Sequence, residues 1–146
     1  MIPVGPVTAR RHLEAPRESV WPWLADPEQR ASWWPDLEIE PRVGGRVAEY
    51  WAEGEGEDRV ERDAAGDVDV WIVGHAIGFH WSAAGDESAT SVLISLLSDS
   101  GETIVTVTET GFDAFSDAAY RVRASAEGWD MLLDDLVAAV SADSDR

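Results

Sequence analysis

Two charged residues stand where apolar ones are expected. Val7, Ala9, Leu13 and Ala15 alternate with Thr8, Arg10, His12 and Glu14, the pattern of a half-buried strand, and Arg11 falls on the apolar side. Along Thr103–Gly111, Val105 and Val107 share one face, Thr106, Thr108 and Thr110 the other, and Glu109 keeps company with the valines. A charge on a desolvated face must be paired or hydrogen-bonded. Such a residue can orient a bound ligand or close a structural ion pair. A desolvated carboxylate can also act as a general acid or base. Many other carboxylates are present, but only Glu109 has a sequence reason to be desolvated. It is therefore the one candidate for catalysis, and no catalytic residue is assigned outright.

Other chemistries lack their residues. There is no cysteine, which excludes thiol catalysis, disulfides and thiolate metal sites. His12, His75 and His80 are the only histidines, and none lies in an HExxH motif or beside carboxylates at ligand spacing. His12 and His80 alternate away from the apolar faces of their strands, and His75 lies near a turn. No metal site and no cofactor is expected. No serine occupies a G-x-S-x-G elbow. Gly54-x-Gly56 lacks the third glycine and the strand–helix setting of a dinucleotide loop.

The 146 residues carry 29 acids against 11 bases, a net charge of −18, which argues against nucleic-acid and anionic-membrane surfaces. A hydrophobic content of 45% argues against disorder. No apolar run approaches the ~18–20 residues of a membrane span. The opening Met1–Pro6 shows neither the charge nor the apolar run of a leader. The expectation is one cytoplasmic domain over 1–146, with its core at about 8–140.

These residues need elements to position them. Pro16 ends the first strand. Val20, Trp21 and Leu24 fall at helical spacing, with Pro22 either just inside a helix that starts near Ser19 or at a kink. Asp26-Pro27 opens a second short helix that leads to Trp33-Trp34. Gly44-Gly45 is a turn, and Val47–Trp51 a strand. The acidic stretch at about 53–67 reads as a solvated loop or the tip of a hairpin. Alternating strands joined by short turns then run to Gly111, an antiparallel meander. From Ala119 the period changes. Val122, Ala126, Trp129, Leu133, Leu136 and Val140 follow at steps of three and four, the stripe of one long amphipathic helix. Gly128 inside it suggests a close backbone approach, a cavity wall or a kink. The fold class is α+β: a curved antiparallel sheet of about six or seven strands around one long C-terminal helix, with two short helices after the first strand.

Several local motifs add to this order. Arg11-His12-Leu13-Glu14-Ala15-Pro16 leads into Val20-Trp21. Asp26-Pro27 is followed by Trp33-Trp34-Pro35. Gly44-Gly45-Arg46, Ile77-Gly78-Phe79-His80-Trp81, Gly111-Phe112 and Gly128-Trp129 complete the set. Together they resemble the START-like superfamily (SRPBCC, the helix-grip fold), and within it the bacterial single-domain relatives of activators of a heat-shock protein's ATPase. The resemblance spans residues 8–140. It departs from the family pattern at Pro22 and in the acidic insert. It implies a cavity between sheet and helix that holds a hydrophobic or aromatic small molecule. It also implies that the first and last strands are neighbours, so that Arg11 and Glu109 could form an inward ion pair there. Trp33, Trp81 and Trp129 fall on family-matching positions, and with Phe79 and Phe112 they would supply apolar contacts.

The resulting reading is a small-molecule binding protein, monomer or homodimer, with ligand-binding residues Arg11, Trp33, Phe79, Trp81, Glu109, Phe112 and Trp129. Binding comes before catalysis in this reading. A cyclase- or hydrolase-like enzyme using Glu109 is one alternative. A co-chaperone-like interaction module is the other.

Overall fold

The computed structural model describes residues 5–144. Met1–Val4, the larger part of the stretch read as carrying no leader, lie outside the described residues. Strand β1 (Val7–Leu13) is followed by helices α1 (Arg17–Ala25) and α2 (Pro27–Ala31). Six strands come next: β2 (Leu37–Ile39), β3 (Arg46–Glu53), β4 (Val60–Ile72), β5 (Ala76–Ser82), β6 (Thr90–Asp99) and β7 (Glu102–Thr110). Helix α3 (Ala118–Ser144) closes the fold. The strands make one antiparallel sheet in the order β1-β7-β6-β5-β4-β3-β2, so the first strand returns to pair with the last.

Local sequence explains the elements. In α1 Pro22 sits inside the helix, at the sacrifice of one backbone bond, and the helix buries Val20 and Leu24. Asp26 then caps α2: its carboxylate accepts from Glu28 N at 2.9 Å, and Pro27 occupies the first turn, where a missing N–H costs nothing. The acidic stretch is a hairpin. Glu53 pairs with Val60 across a single 3-10 turn at Gly56–Asp58, and β4 carries the rest. Gly66 on β4 is required by space, because a Cβ there would lie 1.8 Å from the His80 carbonyl oxygen. A bulge between Val68 and Val70 follows and re-aims the end of the strand.

The core forms between the inner face of the sheet and one stripe of α3. Val68, Phe79, Val92, Ile94, Val105 and Val107 come from the sheet, and Trp129, Leu133, Leu136 and Val140 from the helix. Of the +3/+4 stripe read from sequence, Trp129, Leu133, Leu136 and Val140 are buried and Val122 and Ala126 half-buried, whereas Ala119 at its start is exposed. Gly128 is a correction. It is exposed, and a Cβ there would meet nothing within 4 Å, so no close backbone approach requires it. Among the described residues no helix is long and apolar enough to cross a membrane.

Candidate functional site

Glu109 is 6% exposed and lies on the inner face of β7, opposite Val7 of β1 and Val92 of β6. Four side chains donate to its carboxylate. Oε1 accepts from Ser125 Oγ at 2.6 Å and from Trp129 Nε1 at 2.9 Å, both on α3. Oε2 accepts from Thr90 Oγ1 on β6 and from Trp81 Nε1 on β5, the latter at 3.3 Å. All four donors are neutral. They replace the water that burial removes, and they tie three strands to the long helix. A carboxylate so occupied is suited to anchoring rather than to taking a proton from a substrate.

Arg11 is not its partner, which corrects the inward pair. β1 and β7 are neighbours as expected, but the register sets Arg11 opposite Val105 and Glu109 opposite Val7. Four residues of strand separate the two by about 13 Å. Arg11 instead reaches α3 at the edge of the sheet. Its Nε donates to Asp134 at 3.0 Å and its Nη2 to Asp130 at 3.2 Å. These bonds hold its pKa above the ordinary arginine value, with Asp134 contributing most.

A cleft of about 410 Å³ opens between β3–β6 and the first turns of α3. Glu109, Trp81, Phe112 and Phe115 line it, with Glu49 and Trp51 from β3 and Tyr120 and Ala124 from α3. At the edge Arg121 donates to Asp86 at 2.9 Å and to Asp117 at 2.7 Å, and its guanidinium lies 4.1 Å from the centre of the Phe115 ring. A second hollow of about 560 Å³ lies along the β3–β4 hairpin, lined by Asp36, Tyr50, Arg59 and Glu61 among others. It shares Trp51, Arg62 and Asp63 with the cleft.

Glu49 is a further carboxylate that lines the cleft. Its Oε2 accepts from Trp34 Nε1 at 2.6 Å. Burial pushes its pKa up, outweighing the Trp34 bond, and the charges of Asp36 and Glu109 push the same way. The two acids are joined through indoles: Trp34 meets Trp129 edge to face at 5.6 Å, and Trp129 stacks with Trp81 at 6.4 Å.

The structure separates the seven residues read from sequence. Trp81, Glu109 and Phe112 line the cleft, and Trp129 lies directly behind Trp81. Trp33 and Phe79 are buried in the core, with Trp33 Nε1 donating to the Trp23 carbonyl at 2.8 Å. Arg11 stands at the sheet edge. Sequence reasoning missed Glu49, although the parity that singled out Glu109 applies to it, since it shares a face with Val47 and Trp51. It also missed Ser125, which stands four residues before Trp129 on α3. Thr90, Phe115 and Arg121 carried no comparable signal. His80 faces away from the core, with Nδ1 3.0 Å from Asp69 and Nε2 3.5 Å from Asp67. Among the described residues no group of His, Cys, Asp and Glu has the geometry to hold a metal ion.

Known proteins share this architecture. DynU16, a protein of the dynemicin biosynthetic locus, superposes with a TM-score of 0.78 at 20% identity, over 95% of this chain and 48% of its own. The chain thus spans about half the length of DynU16. Protein MLL2253 from Mesorhizobium loti gives 0.75 at 18% identity, over 94% of this chain and 98% of its own. CalU16 from Micromonospora echinospora gives 0.72 at 21% identity, over 94% and 76%. At such identities the likeness is one of fold. No curated protein matches the chain in sequence. The family described as Activator of Hsp90 ATPase homolog 1-like protein matches it over residues 14–141.

Proposed function

We propose that this chain, which belongs to the Activator of Hsp90 ATPase homolog 1-like family, binds a hydrophobic or aromatic small molecule in the cleft between its sheet and the start of α3. The helix-grip fold is one that typically binds ligands. The observation that carries the reading is the cleft itself: about 410 Å³, with Trp81, Phe112 and Phe115 in its walls and the hydrogen-bonded Glu109 among its lining residues. Aromatic walls give a ligand apolar contact, as in small-molecule sites generally, and here they alternate with charged side chains, among them Glu49, Arg62, Asp63 and Arg121. Much of the tryptophan complement is core: Trp33, Trp34 and Trp129 are buried, yet the cleft stays open beside them. The occupied state of Glu109 favours binding over a reaction that uses it as base.

The test is a titration with Nile red, a neutral apolar dye. Saturable binding at one site per chain is expected, with loss of that binding in Ala124→Trp. Ala124 is an exposed residue of α3 that lines the cleft, so the larger ring fills the space without disturbing the core. Binding that does not saturate, or that survives Ala124→Trp unchanged, would refute the reading. Native mass spectrometry of the purified protein would show any natural ligand as extra mass lost on unfolding.

A further inference from the structure

Glu49 is a cleft residue that the anchoring network does not consume. Glu109 has four donors, whereas among the described residues the only side-chain donor to Glu49 is Trp34, and it reaches one oxygen. The charged groups around the cleft divide clearly. Arg121, on α3, is taken up by Asp86 and Asp117. Arg62 on β4 has a partner of its own. Glu49 on β3 faces Trp34, and the charges that act on it are Asp36, before β2, and Glu109 on β7, both acids. Asp63 of β4 also lines the cleft. Trp34 is thus the side chain seen to bond this half-buried carboxylate, and the charges shown to act on it are those of two acids. The cavity beside Glu49, about 410 Å³, is large enough for a bicyclic ring, and the aromatic side chains in its walls favour both flat apolar rings and positive charge.

We propose that the cleft selects an amine: an aromatic or polycyclic body carrying a protonated nitrogen, with the ring against Trp81, Phe112 and Phe115 and the ammonium directed at Glu49. This rests on the cleft being a ligand site, as argued above, and adds the ligand's charge. A neutral ligand would leave the Glu49 charge unbalanced. An anionic ligand would face Glu49, Asp63 and Glu109 together. The ammonium supplies a charge-assisted hydrogen bond and relieves the repulsion between the two glutamates.

Three probes of matched shape decide it: naphthylmethylamine, naphthylmethanol and naphthylacetate, titrated calorimetrically into the whole protein. The amine is expected to bind about tenfold more tightly than the alcohol, as one charge-assisted hydrogen bond allows, with the acetate weakest. Glu49→Gln keeps an oxygen for Trp34 but loses the charge, and it should remove most of the difference between amine and alcohol. Glu38→Gln, at an exposed residue of β2, should leave that difference in place and so control for the general acidity of the chain. The amine's affinity should fall as the pH is lowered and Glu49 takes up its proton, and this fall should be absent in Glu49→Gln. Equal binding of the three probes would overturn the proposal while leaving the ligand site standing. So would preference for the acetate, or a preference for the amine that survives Glu49→Gln. If none of the three binds, the proposal fails together with the cleft reading.

Discussion

Glu109 and Arg11 both stand on the inward side of paired strands, and their surroundings could hardly differ more. Glu109, near the end of β7, lies under the first half of α3 and is enclosed by four donors from β5, β6 and α3. Arg11 belongs to β1, an edge strand, and its guanidinium emerges beside α3 to meet Asp130 and Asp134, both largely exposed. Strand parity tells which face a side chain takes. It does not tell how deep that face lies at a given position, because depth depends on which strand is at the edge and where the helix crosses. The same helix therefore closes a hydrogen-bonded site at one place and forms a surface clasp at another.

The contrast can be broken by removing each charge. Glu109→Ala leaves two indole N–H groups and two hydroxyls without their acceptor, and a loss of about 3 kcal/mol or more is expected in urea denaturation. A loss below about 1 kcal/mol would mean that water enters and satisfies the donors. Trp129→Phe keeps much of the aromatic packing but removes one donor to Glu109. It should cost about 1–3 kcal/mol, again by equilibrium unfolding, more than a surface substitution would.

Arg11→Met sharpens the other side. As an inward partner of a buried acid Arg11 would be worth several kcal/mol, but as an exposed clasp it is worth about 1 kcal/mol or less. A large loss in this variant would restore the buried reading and contradict the register. The smallest effect concerns His80, on the far face of the sheet. The hydrogen bond to Asp69, aided by the charge of Asp67, raises its pKa above the ordinary imidazole value. A raised folded value means that this stabilisation is complete below the unfolded pKa and is lost as pH rises through the folded one. At a surface pair it should amount to a few tenths of a kcal/mol. Asp69→Asn should bring the His80 titration, followed by NMR, back towards the ordinary value, and an unchanged titration would mean that the pairing is absent in solution.

Much of this molecule is legible in its residues. Alternation in Val7–Leu13 and Thr103–Gly111, and the +3/+4 stripe from Val122 to Val140, are set by burial of one face of a strand or helix, a local property. Asp26-Pro27 opens a helix because cap and fixed φ act within one turn. Glu109 was identifiable because its parity contradicts its charge, and Glu49 carried the same mark. What only the tertiary structure decided is which residues meet. Arg11 and Glu109 are on neighbouring strands, but register sets them four residues apart, and register depends on cooperative pairing along the whole sheet. Ser125, Thr90, Trp81 and Trp129 converge on one carboxylate from positions up to 48 residues apart, and no local pattern marks them as partners. The cleft is likewise lined by residues of β3, β4, β5 and α3, a matter of packing between elements far apart in the chain.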